Sequence, residues 1–295
     1  MFLNGQMDKS IQMKNYYCLI AGLPELHIED NKSKTDLTAF KKELQTALSR
    51  EDYNLIKLHF RHYDNLNLLS YLRDKEAKLN LLGNLTTEDF QKIIRQIKEE
   101  ELSPATDCPG YMKTFIISRL QDKPYLPELS EEDQLTTLYY DEAVQCSNRF
   151  VSRWFLFNLT IQNILTAVNC RKYGWPIEAS IVGTHEEAKL IRENRSSDFG
   201  LSGIFAELDE VLRLSEEADF HERERKIDQL RWKWLDENSF FNYFSVEKII
   251  TFLIQSEIIA RWSGLNQEAG EQKFRKIIGE LQHSFEFPEE FKLNI

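Results

Sequence analysis

Few positions in this sequence combine a reactive side chain with the spacing that chemistry requires. His59 and His62 stand three residues apart with Asp64 close behind, a set that could hold a metal if one helix carried it. Arg61 between them adds a positive charge, and no H-E-x-x-H follows, so the pair reads as surface histidines at a helix end. His185 precedes Glu186 and Glu187 and reads as a solvated helix start, while His221 belongs to the charge run EEADFHERERK. Asp209 and Glu210 are adjacent carboxylates, but an acid–base pair needs one member withdrawn from water, which spacing does not reveal. Gly200-Leu201-Ser202-Gly203 has no basic neighbours to hold a phosphate and reads as a connector. The sequence contains no G-x-x-x-x-G-K-[ST], no G-x-G-x-x-G and no G-x-S-x-G, so neither a nucleotide loop nor a nucleophile elbow is supported. Residue types alone therefore assign no catalytic residue, no metal and no cofactor.

The elements that must position these residues are helices. The chain has 295 residues, of which 42% are hydrophobic and 12% aromatic, enough to bury a core and to exclude wholesale disorder. Eleven Gly and seven Pro are too few for an all-β fold of many tight turns. A net charge of -11 disfavours a general nucleic-acid binder, which needs a basic face. Tyr139-Tyr140 and Trp232-Lys233-Trp234 accordingly read as helical core or interface and not as base-stacking platforms. Cys18, Cys108, Cys146 and Cys170 form no C-x-x-C pair and read as reduced thiols of a cytosolic protein. Met1 to Lys14 holds no apolar run long enough for a signal peptide, and Met13 is a candidate start. The most apolar stretch, Trp154 to Val168, is interrupted by Asn158, Thr160, Gln162 and Asn163, so no membrane insertion is expected.

Start signals mark the helices. Leu37, Phe40, Leu44 and Leu48 share a face behind Asp36. Ser49 with Asp52, Thr86 with Asp89 and Ser130 with Asp133 each resemble a capping box. The run Tyr16 to Leu23 fits a buried strand or a first helical turn equally. Breaks fall at 102–110 and at Pro124 with Pro127. Helical periodicity then predicts one uninterrupted stretch from Glu131 to about Arg171, kinked or packed on several faces, ended by Gly174 and Pro176. Further helices are expected from Ile204 to about Asp236, from Val246 to Trp262 and from Glu271 to Phe285.

Three segments align without gaps: FRHYDNLNLLSYL at 60–72, LFNLTIQNILTAV at 156–168 and FNYFSVEKIITFL at 241–253. Their offsets of 96 and 85 residues are far longer than solenoid repeats and suit larger helical subdomains.

Two stretches carry a family resemblance. FNLTIQNILTAVNCRKYG, Phe157 to Gly174, resembles a helix of the C subunit of archaeal and vacuolar-type rotary ATPases, called d in vacuolar enzymes. In that family D-x-x-N-[LI]-x-[TA] is followed by an Arg-rich turn and Gly; Asn163, Ile164, Thr166 and Arg171 to Gly174 match, and Thr160 stands at the acidic position. FLIQSEIIAR, Phe252 to Arg261, resembles the same subunit's Y-x-x-x-K-E-x-E-I-x-[NRK] helix through Glu257, with departures at Ser256, Ile259 and Trp262. From Met13 onward the chain is similar to a bacterial family of like length encoded with vacuolar/archaeal-type ATPase genes.

The resemblance implies an all-α funnel of three pseudo-symmetric helical subdomains, a single domain over 13–295 with repeats at about 13–101, 111–200 and 201–295, and residues 1–12 as a disordered or upstream extension. It implies a non-catalytic central-stalk component, a socket coupling the soluble motor's shaft to the membrane ring in proton or sodium transport. The implied partners are the central-shaft subunits and the membrane rotor ring, without nucleic acid and without direct membrane insertion. The implied location is cytoplasmic, peripheral to the membrane through the complex. The partner contacts it implies are Arg61, Arg171 and Arg261 at the ends of the three aligned helices, with Lys172 in the Arg-rich turn and Glu257 in the second motif. A helical scaffold unrelated to the ATPase is the alternative. An enzyme with a site assembled from dispersed residues would announce itself by a polar pocket holding a buried His or carboxylate.

Overall fold

Eleven helices and no strand make up the described residues, 16–30, 35–99 and 108–264, of the computed structural model, so the fold is all-α. The helix expected at 271–285 and the extension at 1–12 lie outside the described residues. In chain order the elements are α1 Tyr17–Ala21, α2 Leu37–Ala47, α3 Arg50–Arg73, α4 Thr87–Lys98, α5 Gly110–Leu120, α6 Glu131–Ala143, α7 Arg149–Tyr173, α8 Glu186–Glu193, α9 Leu208–Ser215, α10 Phe220–Ser239 and α11 Val246–Ser263.

The start signals act as their chemistry dictates. Asp36 accepts from the Thr38 and Ala39 amides and opens α2, and Thr86 and Asp89 form a reciprocal capping box on α4. Ser49 accepts from the Asp52 amide, but its own amide donates to the Tyr16 hydroxyl at 3.3 Å, which itself donates to Asp52. The Tyr16 run is thus helical, a five-residue turn pinned beside the start of α3.

The stretch expected as one helix from Glu131 to Arg171 is two. Its break at 144–148 carries neither Gly nor Pro, so periodicity alone passes over it. Asn148 accepts from the Val151 amide and starts α7 anew, while Ser152 Oγ donates to the Val144 carbonyl at 2.5 Å. The chain folds back there, so Tyr139 and Tyr140 of α6 meet Phe155 of α7 with ring centroids 5.5 and 5.8 Å apart. The helix expected over 204–236 likewise divides, because Asp219 caps α10 through the His221 and Glu222 amides.

Burial singles out α3, α7 and α11. Each buries side chains around much of its circumference, which a helix does only inside a ring of neighbours. Helix α7 packs on α6, α8, α9 and α10, α3 on α4 and α6, and α11 on α2 and α10. Trp234 of α10 stacks on Phe157 at 5.1 Å and lies 5.4 Å from Trp154, and Phe40 of α2 meets Phe252 of α11 at 5.3 Å. These three central helices carry the three aligned segments, although residues 241–245 precede α11 and expose Phe241. No helix among the described residues is long and apolar enough to cross a membrane.

Candidate functional site

A cavity of about 610 Å³ opens where α3, α7 and α11 converge. Helix α3 contributes His59, His62 and Tyr63; α7 contributes Trp154, Phe155, Asn158 and Gln162; α11 contributes Ile254, Glu257, Ile258, Ala260 and Arg261. Tyr139 and Tyr140 of α6, Asp228 and Arg231 of α10, and Leu37 and Leu82 complete it. The 96-residue offset carries His59 and His62 onto Phe155 and Asn158, all four at the cavity. The 85-residue offset carries Phe155 and Asn158 onto Phe240 and Tyr243, exposed positions ahead of the cavity-lining part of α11.

The first polar wall joins α3 to α11. His59 Nε2 lies 2.5 Å from Glu257 Oε2, and the Tyr63 hydroxyl donates to Glu257 Oε1 at 3.2 Å. Burial alone would raise the Glu257 carboxyl, but the charge and hydrogen bond of His59, together with His62 and Tyr63, outweigh it and hold the group below its ordinary value. Tyr63 is pushed up, first by burial and then by that carboxylate. His62 Nδ1 stands 2.7 Å from the His59 carbonyl, which can only accept, so Nδ1 carries the proton and a neutral His62 leaves its lone pair on Nε2. Burial, reinforced by His59, lowers the His62 pKa and favours that neutral form.

The histidine pair is therefore not a surface feature at a helix end. It sits in the middle of α3, with His59 9% exposed, because α11 folds across it from 198 residues away. Asp64 does not join the histidines but points to another face of α3, where it holds the loop before α4. No group of three or more His, Cys, Asp or Glu among the described residues could hold a metal.

The second polar wall is built by α10 and α11. Asp228, 1% exposed, accepts from Arg231 Nη1 at 3.0 Å, from Arg261 Nη2 and from the Trp262 indole at 2.8 Å. Arg231 Nε donates to Asn158 Oδ1 at 2.8 Å and so links this wall to α7. A carboxylate this deep persists only when paired and hydrogen-bonded, which Asp228 achieves between the largely buried Arg231 and Arg261, whose side chain is 42% exposed.

Of the five residues marked as partner contacts, the structure brings two together. Glu257 and Arg261 lie one turn apart on α11 and both line the cavity. Arg61 is not at a helix end: α3 runs on to Arg73, and Arg61 pairs with Glu142 at 2.6 Å, whose other oxygen accepts from the Tyr111 amide at 3.2 Å. Arg171 closes α7 by donating to the Ser196 and Asn194 carbonyls at 2.6 and 2.9 Å, its guanidinium 3.7 Å from the Phe199 ring centre. Lys172 beside it is exposed. Asn163, a matched motif residue, exchanges two hydrogen bonds with the Val182 backbone and pins the segment leading to α8. Asp228, Arg231 and Asn158 carried no sequence signal beyond a carboxylate and an arginine at i, i+3 within a charged helix.

The family model whose description reads "Protein of unknown function (DUF2764)" matches residues 13–285. No curated protein matches the chain. No solved structure matches it.

Proposed function

The chain belongs to the DUF2764 family, whose function is unknown; on the two motif stretches and the arrangement of the central helices, we propose that it is a non-catalytic central-stalk component of a bacterial vacuolar/archaeal-type ATPase. The observation that carries the reading is the convergence of the three central helices α3, α7 and α11 around one cavity, with α3 and α7 in the register of their alignment and α11 entering it beyond the aligned segment. An adaptor between a rotating shaft and a membrane ring needs stiff helices around a central socket, and long helices buried on several faces supply stiffness. The second motif helix, α11, presents both of its marked residues, Glu257 and Arg261, to that cavity. Lys172 and the exposed Tyr173 and Trp175, whose rings lie 5.2 Å apart, form a second contact at the C-terminal end of α7, about 36 Å from its start by helical rise. In this reading one end meets the shaft subunits and the other the ring, and the protein reaches the membrane only through the complex.

Affinity purification of the tagged chain from native membranes tests the proposal. Recovery of the ATPase rotor subunits supports it; a rotor recovered intact and consistently free of the chain contradicts it.

The His59–Glu257 pair inside a cavity favours a second reading, an enzyme whose site is assembled from dispersed residues. There the Nε2 lone pair of His62 would take a proton from a bound substrate. A hydrolase panel on the purified chain decides: turnover lost in His62→Gln supports it, and a chain inert across the panel contradicts it.

A further inference from the structure

The cavity contains more donor capacity than its own residues use. Asp228 is one carboxylate serving two guanidiniums and an indole. Arg261, its side chain 42% exposed, is already compensated by water, with Glu224 4.0 Å away, so the donor in question belongs to the more deeply placed Arg231. Arg231 has five N–H donors, of which Nε is engaged by Asn158 and one Nη1 hydrogen by Asp228, while its Nη2 group has no partner among the described residues. Its side chain is only 15% exposed and lines the cavity, so the Nη2 hydrogens that its neighbours leave free are available to a group bound there. On the α3 wall His62 offers a bare acceptor at Nε2. Between them lie Tyr140, Trp154, Phe155 and Ile258, flat and branched apolar surfaces. The space falls within the roughly 300–1,000 Å³ of small-molecule sites, where a few convergent polar groups orient an apolar body.

We infer that this cavity binds a small amphiphilic monoanion, an acidic group on an aromatic or branched apolar body. The anionic group is held by the Nη2 donors of Arg231 with Arg261 beside it, the body lies against the aromatic wall, and an N–H or O–H on the ligand donates to His62 Nε2. Glu257 is already engaged by His59 and Tyr63, and its fixed negative charge disfavours a second anionic group on the same ligand. The inference does not depend on the adaptor reading, since a socket and a ligand site are tested by different partners.

The probe pair is 8-anilino-1-naphthalenesulfonate and its uncharged parent N-phenyl-1-naphthylamine, which share one body and one N–H donor. Fluorescence titration of the full chain should show the sulfonate binding at 1:1 and about tenfold or more tighter than the parent, the factor that one good charge-assisted contact supplies. Arg231→Gln should remove that preference and leave the parent's affinity unchanged, while Ala260→Phe, which adds bulk at a lining position and removes no charged group, should displace both probes. Equal affinity of the two probes for the unaltered chain, or saturable binding by neither, overturns the inference whatever the variants do. Sulfonate binding that survives Ala260→Phe places the probe elsewhere and overturns it as well.

Discussion

Helix α3 presents a buried carboxylate system on each of two faces, and the two behave oppositely. On one, Asp64 accepts from the Asn84 and Leu85 amides at 2.5 and 2.9 Å and from the Asn84 side chain at 2.6 Å. Asn67, one turn on, exchanges two hydrogen bonds with the Asn80 backbone, and Lys41 donates to the Leu82 and Gly83 carbonyls at 2.6 and 2.8 Å. On the other, Glu257 reaches across from α11 and accepts from His59 and Tyr63. At Asp64 burial outweighs the Leu85 and Asn84 bonds and the nearby Lys41 charge, and raises the carboxyl above its ordinary value. At Glu257 burial is outweighed by the charge and hydrogen bond of His59, by His62 and by the Tyr63 hydroxyl, which hold its carboxyl below the ordinary value. One site fixes a loop; the other is a polar seam between two central helices, open to a cavity.

The largest effect that separates the two faces should come from Asp64→Ala. Three donors, two of them backbone amides, would lose their acceptor while staying buried, and the cost should be about 3–5 kcal/mol in chemical denaturation. Gly83→Val probes the same face: an added Cβ would stand 2.5 Å from Asn67 Nδ2 and 2.9 Å from Asp64 Oδ1, so either these hydrogen-bonded side chains or the loop must shift. About 2 kcal/mol or more is expected from the bonds lost. An unchanged midpoint in either variant would deny that this face anchors the loop.

Glu257→Gln should have a smaller effect at neutral pH, about 1–3 kcal/mol, because the amide keeps the shape and one acceptor. Its signature is the pH dependence. A carboxyl whose folded pKa is depressed stabilises the fold above its unfolded value, near 4.5, and that stability is lost as pH falls through the folded value. Glu257→Gln should therefore flatten the loss of stability in acid. Asp64, raised on folding, contributes the opposite slope: its stability is present below about 3.8 and lost as pH rises through the folded value. Asp64→Asn should make the acid loss steeper. Slopes that move together would erase the distinction.

The fold class was legible because helix starts are local chemistry: Ser49, Thr86 and Ser130 each cap through an amide three residues on. The reversal at Cys146-Ser147-Asn148 was not, since no Gly or Pro interrupts the apolar period there. The site was half legible. The spacing of His59 and His62 and the motif position of Glu257 were visible, but their meeting was not. Burial of the histidines is set by a helix 198 residues away, and no local pattern reports that. Asp228 was hidden for the same reason: it is one carboxylate among many in an acidic chain until α11 places Arg261 and Trp262 upon it.

The smallest predicted effects lie in the histidines. Burial lowers the pKa of both His62 and His185, and neither ring nitrogen of His185 has a hydrogen-bond partner among the described residues. For each, stability is complete above the unfolded value near 6.5 and declines as pH falls below it, because only the unfolded chain binds the proton readily. His185→Phe should remove part of that decline while His62→Phe removes another part. A profile between pH 5 and 7 unchanged by either would contradict the burial assigned to them.

The central claim is that α3, α7 and α11 form a socket for a rotary shaft, and direct binding tests it best. The purified full chain should form a stoichiometric complex with the isolated central-shaft subunits of the same organism's vacuolar-type ATPase by calorimetry. Arg261→Glu, which reverses charge at the cavity, should weaken that complex about tenfold or more, and Arg119→Glu, on an exposed pair remote from the cavity, should not. No heat of binding between folded partners would contradict the account.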